Sequence, residues 1–282
     1  MSKERIDILA IKQGLFPTQE KAKRAIMAGL IVASSSGERF DKPGEKIDSE
    51  TLLRIKSDPL PYVSRGGLKL EKALKTFHLS LDQKIVLDIG TSTGGFTDVS
   101  LKNGALLVYA LDVGTNQLDW KLRQDSRVVV MEKTNFRYSK PEDFTKGLPE
   151  IATIDVSFIS LTLILNPLQK IIQSKGEVVA LIKPQFESEK ENVGKNGIIR
   201  NKKTHIDIIQ KIFECATKSG FDVLDLTFSP IIGRKGNIEF LTHLQKSSKS
   251  GNVKEKISIQ NVVRLAHEKE TFDKLDPFKN QE

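Results

Sequence analysis

The sequence of 282 residues has little of what disulfides and metal sites require. Cys215 is the only cysteine, which excludes an internal disulfide and any cysteine-rich metal centre and agrees with a reducing compartment. Four histidines are scattered along the chain without the spacing of metal ligands: His78, His205, His243 and His267. We therefore predict that the protein binds no metal.

Long apolar stretches are also missing. The N-terminal run MSKERIDILAIKQG lacks the apolar segment of a signal peptide, and no other run reaches the roughly 20 residues of a membrane-spanning helix. We therefore expect a cytoplasmic protein. The net charge of +8 fits a polyanionic partner, but residues 1–60 hold 11 basic and 9 acidic side chains, so charge alone only hints at RNA or DNA.

The stretch KIVLDIGTSTGGF, residues 84–96, organises the rest of the chain. Its first half is apolar and β-branched, which predicts a strand buried on both faces of a parallel sheet. Gly90, Gly94 and Gly95 then allow a tight turn and a close approach of the backbone to a ligand, and Phe96 begins a segment with helical periodicity. This order of strand, glycine turn and helix predicts a nucleotide-type ligand.

Three kinds of ligand compete for this turn. A P-loop would require a Gly-Lys-Ser/Thr ending, which does not follow Gly95, and a dinucleotide site would show GxGxxG, where this chain has GxxxGG. S-adenosylmethionine carries an ammonium and a sulfonium, which suit the acidic Asp88 just before the first glycine. The next predicted strand, residues 106–111, ends in Asp112, where a carboxylate can bind the two hydroxyls of a ribose.

Beyond Asp112 the sequence alternates between predicted strands and helices, which indicates an α/β protein. We predict five further strands, at residues 127–131, 151–155, 177–182, 221–228 and 237–244. Asp155 and Lys183 lie at the carboxyl ends of two of them, where open sheets bind ligands. Lys69 on a basic amphipathic helix and Glu239, predicted within the last strand, complete a candidate set of Lys, Asp, Lys and Glu. Each charge alone would more often be a surface residue, so the prediction depends on their convergence.

The chain divides into four predicted segments. Residues 1–57 are predicted to form a small module of two helices and a β unit, whose second helix carries Lys21, Lys23 and Arg24. A basic helix face is usually only solvated. Residues 58–63 contain two prolines and are predicted to form a stiff linker, and residues 64–245 the α/β domain. Residues 246–282, which begin with KSSKSGN, are predicted to form a flexible tail, in which residues 257–269 could form one amphipathic helix.

Several of these segments resemble known families. The runs TQEKAKRAIMAGLIV and KPGEKI resemble the RNA-binding domain of ribosomal protein S4 and of many RNA-modifying enzymes. The chain also resembles the TlyA family, which joins an S4-like domain to a methyltransferase domain of the FtsJ type, over roughly residues 1–245. The runs that carry this second resemblance are PYVSRGGLKLEKAL, VLDIGTSTGGFTDVSLKNGA, ALDVGTNQLDWKLR, MEKTNFR, DVSFISL, LIKPQFE and GRKGNIEFL.

The resemblance implies a Rossmann-like methyltransferase fold with a seven-stranded sheet, preceded by a small α+β RNA-binding domain. It implies ribose 2′-O-methylation of cytidines in 16S or 23S ribosomal RNA, with S-adenosylmethionine as methyl donor. The implied catalytic tetrad is Lys69, Asp155, Lys183 and Glu239. The side chains expected to contact RNA are Lys21, Lys23, Arg24 and Arg65.

This chemistry fits the residue types. A ribose hydroxyl is a poor nucleophile until it loses its proton, whereas a sulfonium methyl is already activated, so the enzyme mainly aligns the two and accepts a proton. We expect Lys183 to be the base, with Lys69 opposing its charge and the two acids orienting it, in one coupled set. At the cofactor we expect Asp88, Gly90, Gly94, Gly95 and Phe96 around the methionine end, Asp112 at the ribose, and Glu132 or Asn135 at the adenine.

Two other functions stay open. A non-catalytic RNA-binding or assembly factor could retain this fold, although an intact tetrad argues against it, and methyl transfer by a Lys183→Ala variant separates the two cases. Members of the family have also been labelled haemolysins, which would require an apolar segment that inserts into membranes. A liposome-leakage assay tests that alternative.

Overall fold

The computed structural model describes residues 3–27, 29–36, 38–55, 61–188, 194, 197–233 and 236–275, the last five by their backbone alone. The chain divides into two compact units between Pro61 and Tyr62, close to the predicted domain boundary. Residues 58–60 of the predicted linker lie outside the described residues. None of the described helices combines the length and the apolarity that a membrane crossing requires.

The N-terminal unit is a small α+β module. It contains two helices and two antiparallel sheets; one sheet pairs Lys3–Arg5 with Lys46–Asp48, and the other has three strands with Ile31–Ala33 in the centre. Ala22 and Ile26, one turn apart on the second helix, are buried against Ile6 of the first and Ile31 of a strand. The elements are β1 (Lys3–Arg5), α1 (Ile6–Lys12), α2 (Gln19–Met27), β2 (Ile31–Ala33), β3 (Arg39–Phe40), β4 (Lys46–Asp48) and β5 (Leu53–Ile55).

The second unit contains the seven-stranded sheet that the sequence predicts. Its strands are β6 (Ile85–Ile89), β7 (Leu107–Leu111), β8 (Val128–Met131), β9 (Ile151–Ile154), β10 (Glu177–Ile182), β11 (Phe221–Phe228) and β12 (Phe240–Lys246). The order across the sheet is β11-β12-β10-β9-β6-β7-β8, and β12 runs antiparallel to both of its neighbours while the other pairings are parallel. The predicted α/β fold class is therefore confirmed.

Helices cover both faces of this sheet. They are α3 (Gly67–Phe77), α4 (Gly95–Lys102), α5 (Trp120–Arg123), α6 (Thr162–Ile171), α7 (Pro184–Glu187), α8 (Lys202–Lys218) and α9 (Ile259–Leu275). Side chains of α3 and α4 fill the core on one face, and those of α6, α8 and α9 fill the core on the other. Strand β6 serves both cores, since Val86 points to the first and Leu87 to the second.

The carboxyl end of β6 is the point at which the topology changes direction. The next strand in sequence, β7, lies on one side of β6, whereas β9 lies on the other. Such a switch point leaves a crevice above the strand ends, because the connecting chains diverge to opposite sides. The fold therefore places an open crevice directly above the glycine turn that follows Ile89.

The C-terminal segment differs from the flexible tail that the sequence predicts. Val253 forms a bridge to Val223 of β11, and α9 buries Val263 and Ala266 in the core beside α8. The linker composition at residues 246–252 is a local signal, whereas the apolar side chains of α9 are spaced to face a neighbouring helix. Residues 276–282 lie outside the described residues.

Candidate active site

The glycine turn brings two strand ends and the start of α3 together. Gly90 has a φ of 85°, and a Cβ there would lie 2.6 Å from the main-chain oxygen of Asp155 at the end of β9. Gly94, with a φ of 97°, precedes the first turn of α4. A Cβ on Gly95 would lie 2.4 Å from the Oγ of Ser64. Glycine is therefore required here by the close packing of the chain itself, and this packing forms the floor of the crevice.

Two cavities open above this floor. The first, which we name the lysine cavity, has a volume of about 230 Å³ and is lined by Lys183, Phe96 and the glycine turn. The second, which we name the Asp112 cavity, has a volume of about 390 Å³ and apolar walls that include Val113, Phe136 and Ile164. Gly90, Ser92, Asp155 and Ser157 line both cavities, so the two adjoin each other.

Asp112 is suited to bind a diol. Its Oδ2 accepts a hydrogen bond from the Ser92 backbone N–H at 2.8 Å, and its Oδ1 accepts one from the Gly114 N–H at 2.7 Å. A carboxylate has about four lone-pair positions, so acceptor capacity remains on the side that faces the cavity. A fixed carboxylate beside apolar walls is a donor set that fits the ribose and the base of a nucleoside.

Asp88, which the sequence predicts at the cofactor, lines neither of the two described cavities. Its side chain is fully buried and accepts hydrogen bonds from the hydroxyls of Thr97 at 2.7 Å and Thr153 at 3.3 Å. Burial raises the pKa of Asp88 to about 7, against the opposing effect of these bonds. Because Thr97 belongs to the first turn of α4, Asp88 fixes that helix to β6 and β9.

The two residues predicted at the adenine are placed differently. Asn135 lines the Asp112 cavity, and its side chain accepts a hydrogen bond from the Arg137 N–H at 3.2 Å. Glu132 lines neither described cavity; it is paired with Arg123, whose hydrogen bond is the main cause that lowers the pKa of Glu132. Of the two, only Asn135 is positioned for the predicted contact.

The four tetrad residues converge at the carboxyl ends of β9 and β10. The Nζ of Lys69 lies 2.6 Å from the Oε2 of Glu239 and 3.7 Å from the Oδ2 of Asp155. The Nζ of Lys183 lies 2.5 Å from the other oxygen of Asp155. Asp155 therefore joins the two lysines into one continuous network. The sequence predicts that the four side chains converge, but not how they are paired.

The network has an inner and an outer pair. We name Lys69 and Glu239 the inner pair, because both are almost completely buried and neither lines the lysine cavity. Burial alone would lower the pKa of Lys69, but the charges of Asp155 and Glu239 outweigh burial and raise it, which keeps Lys69 protonated. We name Lys183 and Asp155 the outer pair, because both line the lysine cavity.

Glu239 lies just before β12, which begins at Phe240, and not within a strand as the sequence predicts. Its main-chain oxygen accepts a hydrogen bond from the Ser229 N–H at 2.8 Å. The segment that joins β11 to β12 thus carries Glu239 at its end. Within a strand, side chains alternate between the two faces of the sheet. Because Glu239 precedes the strand, its carboxylate is not bound by this alternation and reaches Lys69 on α3.

Two residues at this site are absent from the sequence-based predictions. Ser157 accepts a hydrogen bond from the Lys183 Nζ at 3.0 Å. Glu187 accepts hydrogen bonds from the Leu161 N–H at 2.8 Å and the Ser160 hydroxyl at 2.5 Å, and burial raises its pKa. Glu187 thereby ties α7, which directly follows Lys183, to the start of α6. The runs DVSFISL and LIKPQFE contain both residues, but no local pattern indicates these contacts.

Phe158 is the most exposed large apolar side chain beside the site. It is 84% exposed, has a φ of 64°, and its ring centroid lies 5.0 Å from that of Phe186 on α7. A bulky residue in left-handed backbone conformation is uncommon and costs conformational energy. Phe158 also lines the Asp112 cavity. An aromatic face is therefore held open to solvent beside Lys183.

The predicted RNA-contacting residues divide between the two units. On α2 of the N-terminal unit, Lys21 and Arg24 are exposed and Lys23 is half-buried. Arg65 belongs to the second unit, is exposed, and directly precedes Gly66, which lines the lysine cavity.

Comparison with known proteins adds a family to this geometry. The model of the FtsJ-like methyltransferase family matches residues 62–246. The chain is 55% identical over 267 residues to YqxC of Bacillus subtilis, an alignment that covers 94% of each protein. It is 36% identical over 242 residues to the 16S/23S rRNA (cytidine-2′-O)-methyltransferase TlyA of Mycobacterium tuberculosis, which covers 86% of this chain and 89% of that protein. A solved structure from Streptococcus thermophilus is 58% identical and has a TM-score of 0.77, covering 98% of this chain and 100% of the other.

Proposed function

Since the chain belongs to the TlyA family of FtsJ-like methyltransferases, we propose that it methylates the 2′-hydroxyl of a cytidine in ribosomal RNA. The observation that carries this proposal is the outer pair. Lys183 and Asp155 lie on the wall of a cavity that adjoins a second cavity suited to a nucleoside. A proton acceptor thus stands beside the place where a methyl donor would bind.

The methyl donor fits the Asp112 cavity. Asp112 would bind the ribose hydroxyls, Asn135 and the apolar walls would contact the adenine, and the glycine turn would approach the methionine end. S-adenosylmethionine supplies an activated methyl group when it is bound. Asp88 acts indirectly, because its hydrogen bonds to Thr97 and Thr153 hold the floor of the cavity in place.

Lys183 accepts the proton of the ribose hydroxyl. The ion pair with Asp155 and the hydrogen bond to Ser157 hold the Nζ of Lys183 at the cavity wall, so little reorganisation is required when the hydroxyl arrives. Lys69 occupies the other oxygen of Asp155, so that this carboxylate is shared between two ammonium groups. Asp155 therefore orients both lysines.

Phe158 and Phe186 bind the base of the target nucleotide. An enzyme that reacts at one ribose of a structured RNA needs that nucleotide out of the stack, and unstacked bases bind to aromatic side chains. Phe158 presents an exposed ring at the mouth of the site, and its neighbour Phe186 lies on the turn that follows Lys183. Stacking on this pair would place the attached ribose next to the Nζ of Lys183.

The N-terminal unit supplies affinity for RNA. Its resemblance to S4-like domains and the basic residues of α2 support contacts with RNA phosphates, from Lys21, Lys23 and Arg24. Arg65 would make a further contact near the cavity mouth. Phosphate contacts of this kind position the enzyme without reading sequence, so the choice of nucleotide belongs to the second unit.

The test is transfer of labelled methyl from S-adenosylmethionine to purified, unmodified small and large ribosomal subunits, followed by mapping of the 2′-O-methylated nucleotide. We expect label on a single cytidine ribose in either subunit, or on one in each. Absence of label on both subunits, with cofactor binding demonstrated by calorimetry, would contradict the proposal. It would favour the non-catalytic RNA-binding alternative, which predicts binding to subunits without transfer.

A further inference from the structure

Two lysines outside the tetrad converge on the end of the edge strand β11. The Nζ of Lys72, on α3, lies 3.6 Å from the ring centroid of Phe228 and donates a hydrogen bond to the main-chain oxygen of Phe228 at 2.6 Å. The Nζ of Lys269, on α9, lies 5.8 Å from the same centroid and donates to the oxygen of Pro230 at 2.6 Å. Helices from opposite faces of the sheet thus place two ammonium groups beside one ring.

Neither ammonium has an acidic partner in the described part of the chain. No described carboxylate forms an ion pair with Lys72 or Lys269. Glu239 lies nearby but is paired with Lys69, and Glu270 has an interaction of its own. Burial, and then repulsion by Lys269, lower the pKa of Lys72 to about 8. Among the described residues, two ammonium groups therefore contact one ring, and neither forms an ion pair with a carboxylate.

The arrangement resembles an anion site more closely than a pair of structural tethers. One hydrogen bond to a carbonyl fixes each ammonium, but an ammonium has three donors, so two remain on each lysine. A tether would need only one of the two lysines, or an uncharged donor. A phosphate oxygen between them would use the remaining donors and would remove the repulsion. The cavity beside Phe228 and Lys269, about 20 Å³, is too small for that group, so the anion would bind at the surface, where Lys72 and Lys269 are both only partly buried.

The position fits an RNA strand that passes the tetrad. Phe228 ends β11 at the carboxyl edge of the sheet, the edge at which Lys183 and Asp155 lie. Lys72 follows Lys69 by three residues on α3, about 4.5 Å along the helix axis. Lys69 is itself paired with Glu239 in the tetrad. An anion at this position would therefore lie near the reacting ribose.

We propose that Lys72 and Lys269 together bind one backbone phosphate of the RNA substrate, close to the target nucleotide. The proposal rests on the proposed RNA substrate and gives the C-terminal helix a role in binding it. Because phosphate contacts release condensed counterions, each one contributes to the salt dependence of RNA binding. That dependence separates a phosphate contact from a structural role of the same lysines.

The experiment measures binding of a fluorescent oligocytidylate over a range of KCl concentrations. The variants are Lys72→Met, Lys269→Met and the double variant, with Lys75→Met as the matched control. Lys75 lies on the same helix, is exposed and pairs with Glu71.

We expect the double variant to bind about fivefold more weakly at moderate salt. Its plot of log affinity against log salt should lose a slope of about 0.7, the contribution of one single-strand phosphate. The control should match the wild type.

Further variants and ligands distinguish a phosphate contact from a structural role of the two lysines. Double replacement by arginine should retain the wild-type slope, since it preserves both charges. If the methionine variants lose thermal stability and keep the wild-type slope, the lysines are structural tethers and the proposal is overturned. A further outcome is that inorganic phosphate raises the thermal stability of the wild type more than that of Lys72→Met while the salt slope of RNA binding is the same in both proteins. In that case the site binds free phosphate, and the RNA assignment is overturned. Oligocytidylate binding needs no methyl transfer, so a changed slope without transfer to any subunit would overturn the proposed function and leave this site standing.

Discussion

The inner and outer pairs of the tetrad have the same chemistry and different surroundings. Lys69 lies 2.6 Å from Glu239, and Lys183 lies 2.5 Å from Asp155, so both are close ion pairs of a lysine with a carboxylate. The side chain of Glu239 is 2% exposed and that of Asp155 is 19% exposed. The inner pair faces other protein atoms, whereas the outer pair faces the lysine cavity.

We propose that this difference in exposure gives the two pairs different tasks. A general base must exchange its proton with both substrate and solvent, which requires access to a cavity. A buried pair with a raised lysine pKa keeps its charges fixed, and its carboxylate and ammonium hold the elements that carry them. We therefore assign the chemistry to the outer pair and the positioning of Asp155 to the inner pair. The predictions below test this division.

The largest effect is expected at Lys183. A Lys183→Met variant keeps the length of the side chain but has no group that accepts a proton, so single-turnover methyl transfer should fall by about a thousandfold. Affinity for S-adenosylhomocysteine should stay within about twofold, since Lys183 is not placed to bind the nucleoside. Calorimetry and single-turnover assays on unmodified subunits measure the two quantities. A variant that retains a tenth of the wild-type rate would place the base elsewhere.

The next effect is on stability at the inner pair. Glu239→Ala leaves the buried Lys69 with only the more distant Asp155 at 3.7 Å, so the free energy of unfolding should fall by about 3 kcal/mol. Transfer should fall less than in Lys183→Met, by about a hundredfold, through misplacement of Asp155. Urea unfolding followed by circular dichroism measures the stability.

A double variant completes this test. Lys69→Met combined with Glu239→Met removes both buried charges and should recover at least half of the lost stability, because no unpaired ion is left. The rate should not recover, since Asp155 has lost one of its two partners. Recovery of the rate together with the stability would show that the inner pair has no positioning role.

A smaller effect is expected at the proposed cofactor site. There Asp112 lines a cavity, whereas Glu132 lines neither described cavity. Asp112→Ala removes the carboxylate that faces the nucleoside and should weaken binding of S-adenosylhomocysteine by ten- to a hundredfold, or about 1.4 to 2.8 kcal/mol. Glu132→Gln is the matched control, because Glu132 is paired with Arg123 and lines neither cavity. Equal losses in both variants would contradict the placement of the nucleoside beside Asp112.

The smallest change per measured step, up to about 1.4 kcal/mol per pH unit, is expected in the pH dependence of stability at Asp88. Its pKa in the folded protein is about 7, against about 3.9 for an unfolded chain, so its contribution to stability is complete below about pH 4 and is lost as pH rises through 7. Asp88→Asn cannot ionise and should lack this loss. As pH rises, the wild type should therefore lose up to about 1.4 kcal/mol of stability per pH unit relative to Asp88→Asn.

Urea unfolding of both proteins between about pH 4 and pH 7 measures this difference. Burial lowers the pKa of His205 to about 4, which acts in the opposite direction in the same pH range, but it acts equally in both proteins and cancels. Parallel curves for the two proteins would show that Asp88 is ionised in the folded state.

The fold was largely predictable from local patterns, because buried parallel strands and the glycine turn have strong local signals. The side-chain directions at the strand ends were not. Asp88 lies one residue before the end of β6 and points into the core, where Thr153, from a strand 65 residues further along the chain, reaches it. Asp112 lies one residue beyond the end of β7 and faces the cavity. The two acids differ by two residues in their position relative to the strand end, which places Asp88 inside the sheet and Asp112 in the loop beyond it.

Contacts made across long sequence separations were also beyond local inference. Glu239 pairs with Lys69 across 170 residues, and the sequence alone placed it inside a strand. The tail shows the same limit, since its linker composition is local while Val263 and Ala266 pack against distant elements. Strand ends and the resemblance to a family together predicted the tetrad; its division into an inner and an outer pair required the tertiary structure.

The most direct test of that division is single-turnover methyl transfer by a Lys183→Arg variant on unmodified ribosomal subunits. Arginine keeps a positive charge that can pair with Asp155, but it does not lose its proton in proteins. We expect no measurable transfer, with binding of cofactor and subunits retained, because the outer pair would keep its charge and lose its base. Transfer at a rate near that of the wild type would show that Lys183 acts only through its charge, and would contradict its assignment as the proton acceptor.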